Sequence, residues 1–342
     1  MTALSRRTLM GAALGTLGAA GLPFRAAQAA GSMTAAVYPG GWDEALRAVL
    51  APALKQAHGV DVAFEPLFAV DQIAKARAAR GVAPFDVFVL DPGPRVSGMD
   101  LKLFEPFDPA RLSNRARLPA GYSDEVGAGV AAQVVGIAYN PKKVARPAGW
   151  RDLFKPEFAK HLGLTGFGTT FGTISLIEMA KSVGGSEADM EPLFTELRKI
   201  LSLVPAVAQP AAMPGLFQQG QIDIMYTNTY TVTLLKSRGV DIEFAVPETG
   251  AAAFGTTMHI AKGSRNIDAA YQYIDTMIST PVQTALAAPP YSFVPVNTEV
   301  KPGPDVPMKS IDDLKSFVTH DWTKINPQRP RWIDRFNREM AK

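Results

Sequence analysis

The sequence contains no cysteine among its 342 residues. This absence excludes disulfide scaffolds, thiolate zinc sites, iron–sulfur clusters and cysteine nucleophiles. It also excludes the lipidated cysteine that would tether an exported protein to a membrane. The chain is nevertheless 47% hydrophobic, which is enough to fill a sizeable core, and its length is typical of two domains.

The chain has little excess of charge of either sign. Its formal net charge is +3, from 35 lysines and arginines against 32 acidic residues. Arg6, Arg7 and Arg25 account for that excess, because the first 29 residues contain no acid and no lysine. The rest of the chain is formally neutral, so the composition does not indicate a nucleic-acid-binding surface.

Residues 1–29 are predicted to be an export signal. Arg6 and Arg7 precede an apolar, small-residue run at 11–22, and Ala-Gln-Ala at 27–29 offers the small side chains that a signal peptidase recognises. The apolar run is shorter than the about 20 residues that cross a bilayer, which argues against a permanent anchor. The paired arginines resemble a twin-arginine signal, and an ordinary secretory signal is the alternative. Either route predicts a periplasmic protein.

Extended and helical patterns alternate along the rest of the chain. Apolar runs at 34–38, 60–64 and 85–90 are separated by segments with helical spacing, and the last run is typical of a strand buried on both faces. Two long segments with little helical period, 127–140 and 244–260, are natural crossings between two such regions. The pattern therefore predicts an α/β fold of two doubly wound lobes joined by two crossing segments, with a ligand cleft between them.

Six parts of the sequence occur in an order shared with one known family. They are Tyr38 with Trp42, FDVFVLD at 85–91, VVGIAYNPKKV at 134–144, WRDLF at 150–154, MHIAKGSRN at 258–266 and HDWTKINPQRPRWIDRFNREM at 320–340. On these parts the chain resembles the type II periplasmic solute-binding proteins of ABC importers, in the branch that includes the spermidine and putrescine binders.

The resemblance implies a first lobe of 34–134 plus 256–305 and a second lobe of 135–255 plus 306–342. It also implies that the lobes close on a small solute and release it unaltered to a permease in the inner membrane. We therefore expect no catalysis, no cofactor, no metal and no nucleic-acid partner. A monomer is the default for this class.

The charge of the ligand is open. Polyamine binders hold ammonium groups with carboxylates and aromatic faces. The resemblance implies acids after the strand at 162–164 and near Phe254 and Thr256, but the loop 165–173 and the second element both lack them. Asp91 is the one acid beside a predicted cleft strand end. An anionic or zwitterionic solute is favoured, and a polyamine is the alternative.

An anion site is predicted where a helix follows that loop. Thr169, Thr170 and Thr173 precede a helix expected at 174–183, and the free N–H groups of a helix N-terminus bind carboxylates and phosphates. An ordinary capping role for Thr169 is the alternative. The other expected ligand contacts are Tyr38, Trp42, Asp91, Arg95, Tyr226, Asn228, Phe254, Thr256 and Tyr291, with Arg95 pairing an anion. Tyr38, Trp42 and Tyr291 have a competing explanation as core residues.

Two other functions remain as alternatives. An exported enzyme would need a motif, but the four histidines lack metal-site spacing, and neither a nucleophile elbow nor a phosphate-binding loop occurs. A ferric-iron binder would use tyrosine phenolates, and Tyr226 and Tyr230 lie four residues apart without an adjacent pair.

Overall fold

The computed structural model describes residues 31–340, so the predicted export signal lies outside the described residues. The strands are β1 (Ser32–Val37), β2 (Asp61–Pro66), β3 (Val87–Leu90), β4 (Ser123–Asp124), β5 (Gly127–Tyr139), β6 (Leu162–Leu164), β7 (Ala206–Val207), β8 (Ile224–Asn228), β9 (Glu243–Ala245) and β10 (Ala252–Ile260). The helices are α1 (Gly41–Ala45), α2 (Ala51–His58), α3 (Ala69–Ala78), α4 (Pro92–Asp100), α5 (Pro156–Ala159), α6 (Thr170–Ser182), α7 (Glu191–Ile200), α8 (Met213–Gln218), α9 (Thr229–Ser237), α10 (Ile267–Met277), α11 (Thr280–Ala287), α12 (Trp322–Ile325) and α13 (Arg329–Glu339).

The strands form a mixed sheet in the order β2-β1-β3-β10-β5-β8-β6-β7, and β4 and β9 also pair with β5. β1 runs parallel to β2 and β3, and β6 runs parallel to β7 and β8. β5 and β10 run antiparallel to each other and to their other partners. Two parallel regions are therefore joined at the centre by two antiparallel strands.

The first lobe has apolar side chains on both faces of its sheet. Every residue of β3 is buried, as expected for a strand covered on two sides. Leu54 of α2 and Ile274 of α10 pack in the core on one face, and Phe88 and Phe104 pack in the core on the other. Gly59 ends α2 at φ 70°, a left-handed conformation that lets the chain turn into β2.

The second lobe has its own cores on the two faces of its sheet. Trp150 and Ile177 belong to the larger one, and Met225 and Leu235 belong to the smaller one. Most of α6 is buried, from its first residue onward. The start of α6 is therefore held firmly beside the end of β6.

Both central strands pass from one lobe to the other. β5 is buried along its whole length; its beginning pairs with β4 and β10, and its end pairs with β8 and β9. β10 runs antiparallel to β5 across the same junction, and the register of their pairing shifts between Thr256 and Thr257. The two predicted crossing segments are confirmed.

A third crossing was not predicted from the sequence. Val318 pairs with Ala252 beside the other two crossings. Met308 and Ile311 still pack in the first-lobe core, and Trp322 packs in the second-lobe core. Leu314 and Phe317 also pack against the first-lobe core and Val318 packs against the second, so the chain crosses after Phe317, whereas the resemblance implied a second lobe from residue 306.

Among the described residues, each helix is too short or too polar to form a membrane span.

Candidate ligand-binding site

A cavity of about 480 Å³ lies between the lobes, at the carboxyl ends of β1, β3, β6 and β8. The first lobe contributes the turn after β1 and the starts of α3 and α4. The second lobe contributes the start of α6, the segment 210–214, and α9. Gln133 of β5 and Arg329 of α13 also line the wall. This is where open α/β sheets bind ligands, and the volume suits a small organic molecule.

Most of the predicted ligand contacts come together on this wall, although their contact with a ligand stays a prediction. They are Tyr38, Trp42, Asp91, Thr169, Thr170, Tyr226 and Asn228.

The structure places two predicted contacts away from the cavity within their helices. Arg95 lies one turn after Asp91 on α4, and it pairs with the carboxylate of Asp124. Thr173 is fully buried, and its hydroxyl donates to the carbonyl of Thr169 at 2.9 Å. Neither residue lines the cavity, and each side chain is directed at a protein group.

The structure places three further predicted contacts in or behind the cores. Phe254 belongs to the second-lobe core, and Tyr291 packs against the first-lobe core. Thr256 is fully buried and lies behind the cavity wall, where it accepts a hydrogen bond from Gln133 Nε2 at 2.9 Å. Phe254 and Tyr291 are therefore packing residues in this structure.

Asp91 places a carboxylate on the first-lobe side. Its Oδ1 accepts hydrogen bonds from Tyr38 Oη at 2.7 Å and Thr256 Oγ1 at 3.4 Å. Burial raises the pKa of Asp91, although hydrogen bonds from Tyr38 and Thr170 and the positive charge of Arg329 oppose that change. Burial also raises the pKa of Tyr38, so its hydroxyl remains a donor to Asp91.

A chain of hydrogen bonds crosses the floor of the cavity between the lobes. Asn228 Nδ2 donates to Gln133 Oε1 at 2.6 Å, and Gln133 Nε2 donates to Thr256 Oγ1, which in turn donates to Asp91. Asn228 also caps α9, since its Oδ1 accepts from the Thr231 N–H at 3.0 Å. Asn228 is the last residue of β8.

The two tyrosines considered as iron ligands do not form a pair of free phenolates. Tyr226 Oη accepts from the Thr165 N–H at 2.8 Å and donates to the Thr165 carbonyl. Burial raises the pKa of both Tyr226 and Tyr230. In the described residues, no cluster of acids and histidines could hold a metal ion. The raised pKa values favour protonated phenols at Tyr226 and Tyr230, whereas a ferric site would use phenolates.

The start of α6 forms part of the second-lobe wall. The helix begins at Thr170, earlier than predicted, because Thr169 caps it by accepting from the Gly172 N–H at 3.2 Å. The ordinary capping role is therefore observed. It leaves the N–H groups of Thr170 and Phe171 without helical carbonyl partners, and both residues line the cavity. A cap and an anion site are compatible here.

Arg329 is the main functional candidate that the sequence did not single out. It is only 7% exposed, and its Nε donates to the Phe167 carbonyl at 2.8 Å. Its terminal nitrogens have no hydrogen-bond partner among residues 31–340, and the side chain lines the cavity. Burial lowers the pKa of Arg329 to about 10, so it remains a cation at neutral pH. A buried guanidinium with free N–H groups suits a carboxylate or phosphate.

One protein-family model matches the chain over residues 85–326, and its description is bacterial extracellular solute-binding protein. No curated protein matches the chain. The matched region includes Asp91, Gln133 and Asn228 but ends before Arg329.

Many solved structures share the fold. An ABC transporter structure from Clostridium perfringens is 20% identical, with a TM-score of 0.72, and the match covers 90% of this chain and 100% of that one. The periplasmic binding protein AfuA from Actinobacillus pleuropneumoniae, with fructose-6-phosphate bound, is 17% identical, with a TM-score of 0.74 over 91% and 98% of the chains. MotA from A. tumefaciens B6, in complex with glucopine, is 16% identical, with a TM-score of 0.74 over 91% and 100%. At these identities the likeness shows the fold alone, which is the two-lobed type II periplasmic binding fold.

Proposed function

The chain belongs to the bacterial extracellular solute-binding proteins, and from this premise we propose that it captures a small carboxylate- or phosphate-bearing solute for an ABC importer. The single observation that carries the ligand assignment is the buried Arg329 guanidinium on the cavity wall, whose terminal nitrogens have no hydrogen-bond partner in the described residues. The free N–H groups at the start of α6 would bind the same anionic group.

Asp91 adds a preference for a zwitterion. Its carboxylate lies on the first-lobe wall and can accept a hydrogen bond from an ammonium or hydroxyl group of the same solute. A ligand held by Asp91 and Arg329 contacts both lobes at once. Closure is then driven by contacts that exist only when the lobes are together.

Two protein contacts already cross the cleft and support closure as the delivery mechanism. Asn326 Nδ2 donates to the Gly93 carbonyl at 2.7 Å. Tyr230 of α9 reaches across to Gly41 and packs against Phe293 of the first lobe. Opening would break these contacts and release the solute, unaltered, to a permease in the inner membrane. Export to the periplasm by the twin-arginine route is part of the same proposal.

A polyamine is the second candidate, and a specific observation favours it. The Asp91 carboxylate lies beside Tyr38, whose ring contacts Trp42 at 5.2 Å, and carboxylates with aromatic faces bind ammonium groups. The buried charge of Arg329 opposes a ligand with two or more positive charges. We therefore place the anionic or zwitterionic solute first.

The test is a calorimetric ligand panel on the mature protein with a matched pair of variants. The panel contains amino acids, carboxylates, phosphonates, sugar phosphates, putrescine and spermidine. Arg329→Gln should weaken the best anionic ligand about 10- to 150-fold, because charge-assisted hydrogen bonds contribute about 1.5–3 kcal/mol. Arg331→Gln is the control, since Arg331 is exposed on the same helix. Binding of polyamines alone, or equal affinities for the two variants, would contradict the proposal.

A further inference from the structure

Part of the cavity wall consists of apolar side chains. Three segments line it with apolar residues only: 68–70 in the first lobe, and 210–214 and 234–235 in the second. We call these three segments the apolar chamber. Glu44 and Arg238 also line the cavity, but both are exposed to solvent, so their charges are already hydrated.

The first-lobe side of the chamber exposes large apolar groups to water. Phe68 is 43% exposed and Val70 is 47% exposed, although both line a concave surface and precede or begin a helix. Apolar surface in such a position gains free energy when a ligand covers it. Single exposed apolar residues are ordinary, whereas two that line the same cavity indicate a binding surface.

The volume of the cavity also favours a ligand with a large apolar part. A cavity of about 480 Å³ lies within the range that holds drug-sized ligands. A ligand of only two or three carbons would fill the space near Asp91 and Arg329 and leave water against the chamber. Displacing such water with an apolar group strengthens binding. A sugar in the same place would lose hydrogen bonds to water without finding polar partners in the three segments.

We propose that the solute is an amphiphile whose carboxylate or zwitterionic head binds Arg329 and Asp91 and whose bulky apolar body fills the apolar chamber. A large apolar amino acid, or the carboxylic acid of the same shape, belongs to this class. The inference rests on the proposed function, because that function supplies the position of the charged head group beside Arg329 and Asp91.

The experiment is calorimetric titration of the mature protein with a homologous series. The probes are alanine, norvaline, norleucine and 2-aminooctanoate, with propanoate, pentanoate, hexanoate and octanoate as the series without the amino group. Burial of each methylene group should raise the affinity about fourfold. If each amino acid binds more tightly than the carboxylate of the same chain length, the ammonium group is assigned to Asp91.

Two leucine variants localise the effect. Leu234→Asn places an amide in the chamber and should reduce the gain in affinity per methylene. Leu203→Asn is the matched control, because Leu203 is 42% exposed on the second lobe and is absent from the cavity wall. It should leave the gain unchanged.

The outcomes distinguish a failure of this inference alone from a failure of the proposed function. Short members that bind without any gain along the series would overturn the apolar body and leave the anionic head intact. Binding of a sugar phosphate but of no carboxylate would overturn the amphiphile while the proposed function stands. If only putrescine or spermidine binds, the proposed function fails and this inference fails with it.

Discussion

Adding one methyl group at Gly41 should hold the two lobes apart. Gly41 begins α1 of the first lobe, and Tyr230 of the second lobe lies directly against it. A β-carbon at this position would overlap Tyr230 Oη and would lie 2.7 Å from Tyr230 Cζ. Moving the Tyr230 ring away would break its edge-to-face contact with Phe293, whose ring centre lies 5.4 Å away.

The expected size follows from the cost of overpacking. Forcing an extra carbon into a well-packed contact costs about 1–3 kcal/mol. If binding requires closure, the ligand must supply that free energy, and its Kd rises about 5- to 150-fold. The free energy of unfolding without ligand should be nearly unchanged, since φ of Gly41 lies outside the left-handed region and the lobes can separate.

The assay combines titration of the best ligand from the panel with small-angle scattering. Gly41→Ala should weaken binding and reduce the ligand-induced compaction, and adding Tyr230→Ala to it should restore part of the affinity in a double-mutant cycle. Gly215→Ala is the control, because a β-carbon there meets nothing within 4 Å. A Gly41→Ala protein with wild-type affinity and compaction would refute the reasoning.

Two other predictions concern stability and export. Burial lowers the pKa of His259 to about 3, so the ring stays neutral in the folded protein while the unfolded chain takes up a proton below about pH 6.5. Its stabilising contribution is therefore complete above pH 6.5 and is lost as the pH falls towards 3. The free energy of unfolding measured in urea should fall by about 1.5 kcal/mol between pH 6.5 and 5, and His259→Gln should remove most of this fall. An unchanged fall in the variant would contradict the role of His259. Replacing Arg6 and Arg7 by lysine should leave the precursor in the cytoplasm, as measured by cell fractionation, and normal export would rule out the twin-arginine route.

The elements that could be predicted are those in which local pattern and tertiary environment agree. The apolar run of β3 and the long non-helical stretch of β5 predicted a buried sheet and a crossing, and both are present. The start of α6 was placed four residues too late, because the prediction followed apolar periodicity and three of the four residues in the first helical turn are Thr or Gly. Thr169 supplied the capping signal, and the structure uses it.

The site residues were harder to predict because distant segments form the cavity. A local signal for Arg329 was present but not used: it lies three and seven residues before Trp332 and Phe336, on the buried face of α13, whereas Arg331 is exposed. Arg95 was expected near the ligand because it follows Asp91. It lies four residues further along the same helix, where its nearest acid is Asp124, and that contact is local to the first lobe.

The strand order also determines when the protein can finish folding. In the first lobe, β3 and β5 are not neighbours, because β10 lies between them and pairs Leu90 with Thr257. A ribosome that has made the first 250 residues has therefore produced an incomplete sheet with two open edges. Contacts of such long sequence separation fold slowly, and open edges invite aggregation. The growing chain therefore keeps these unpaired strand edges until its last crossing segments have been synthesised.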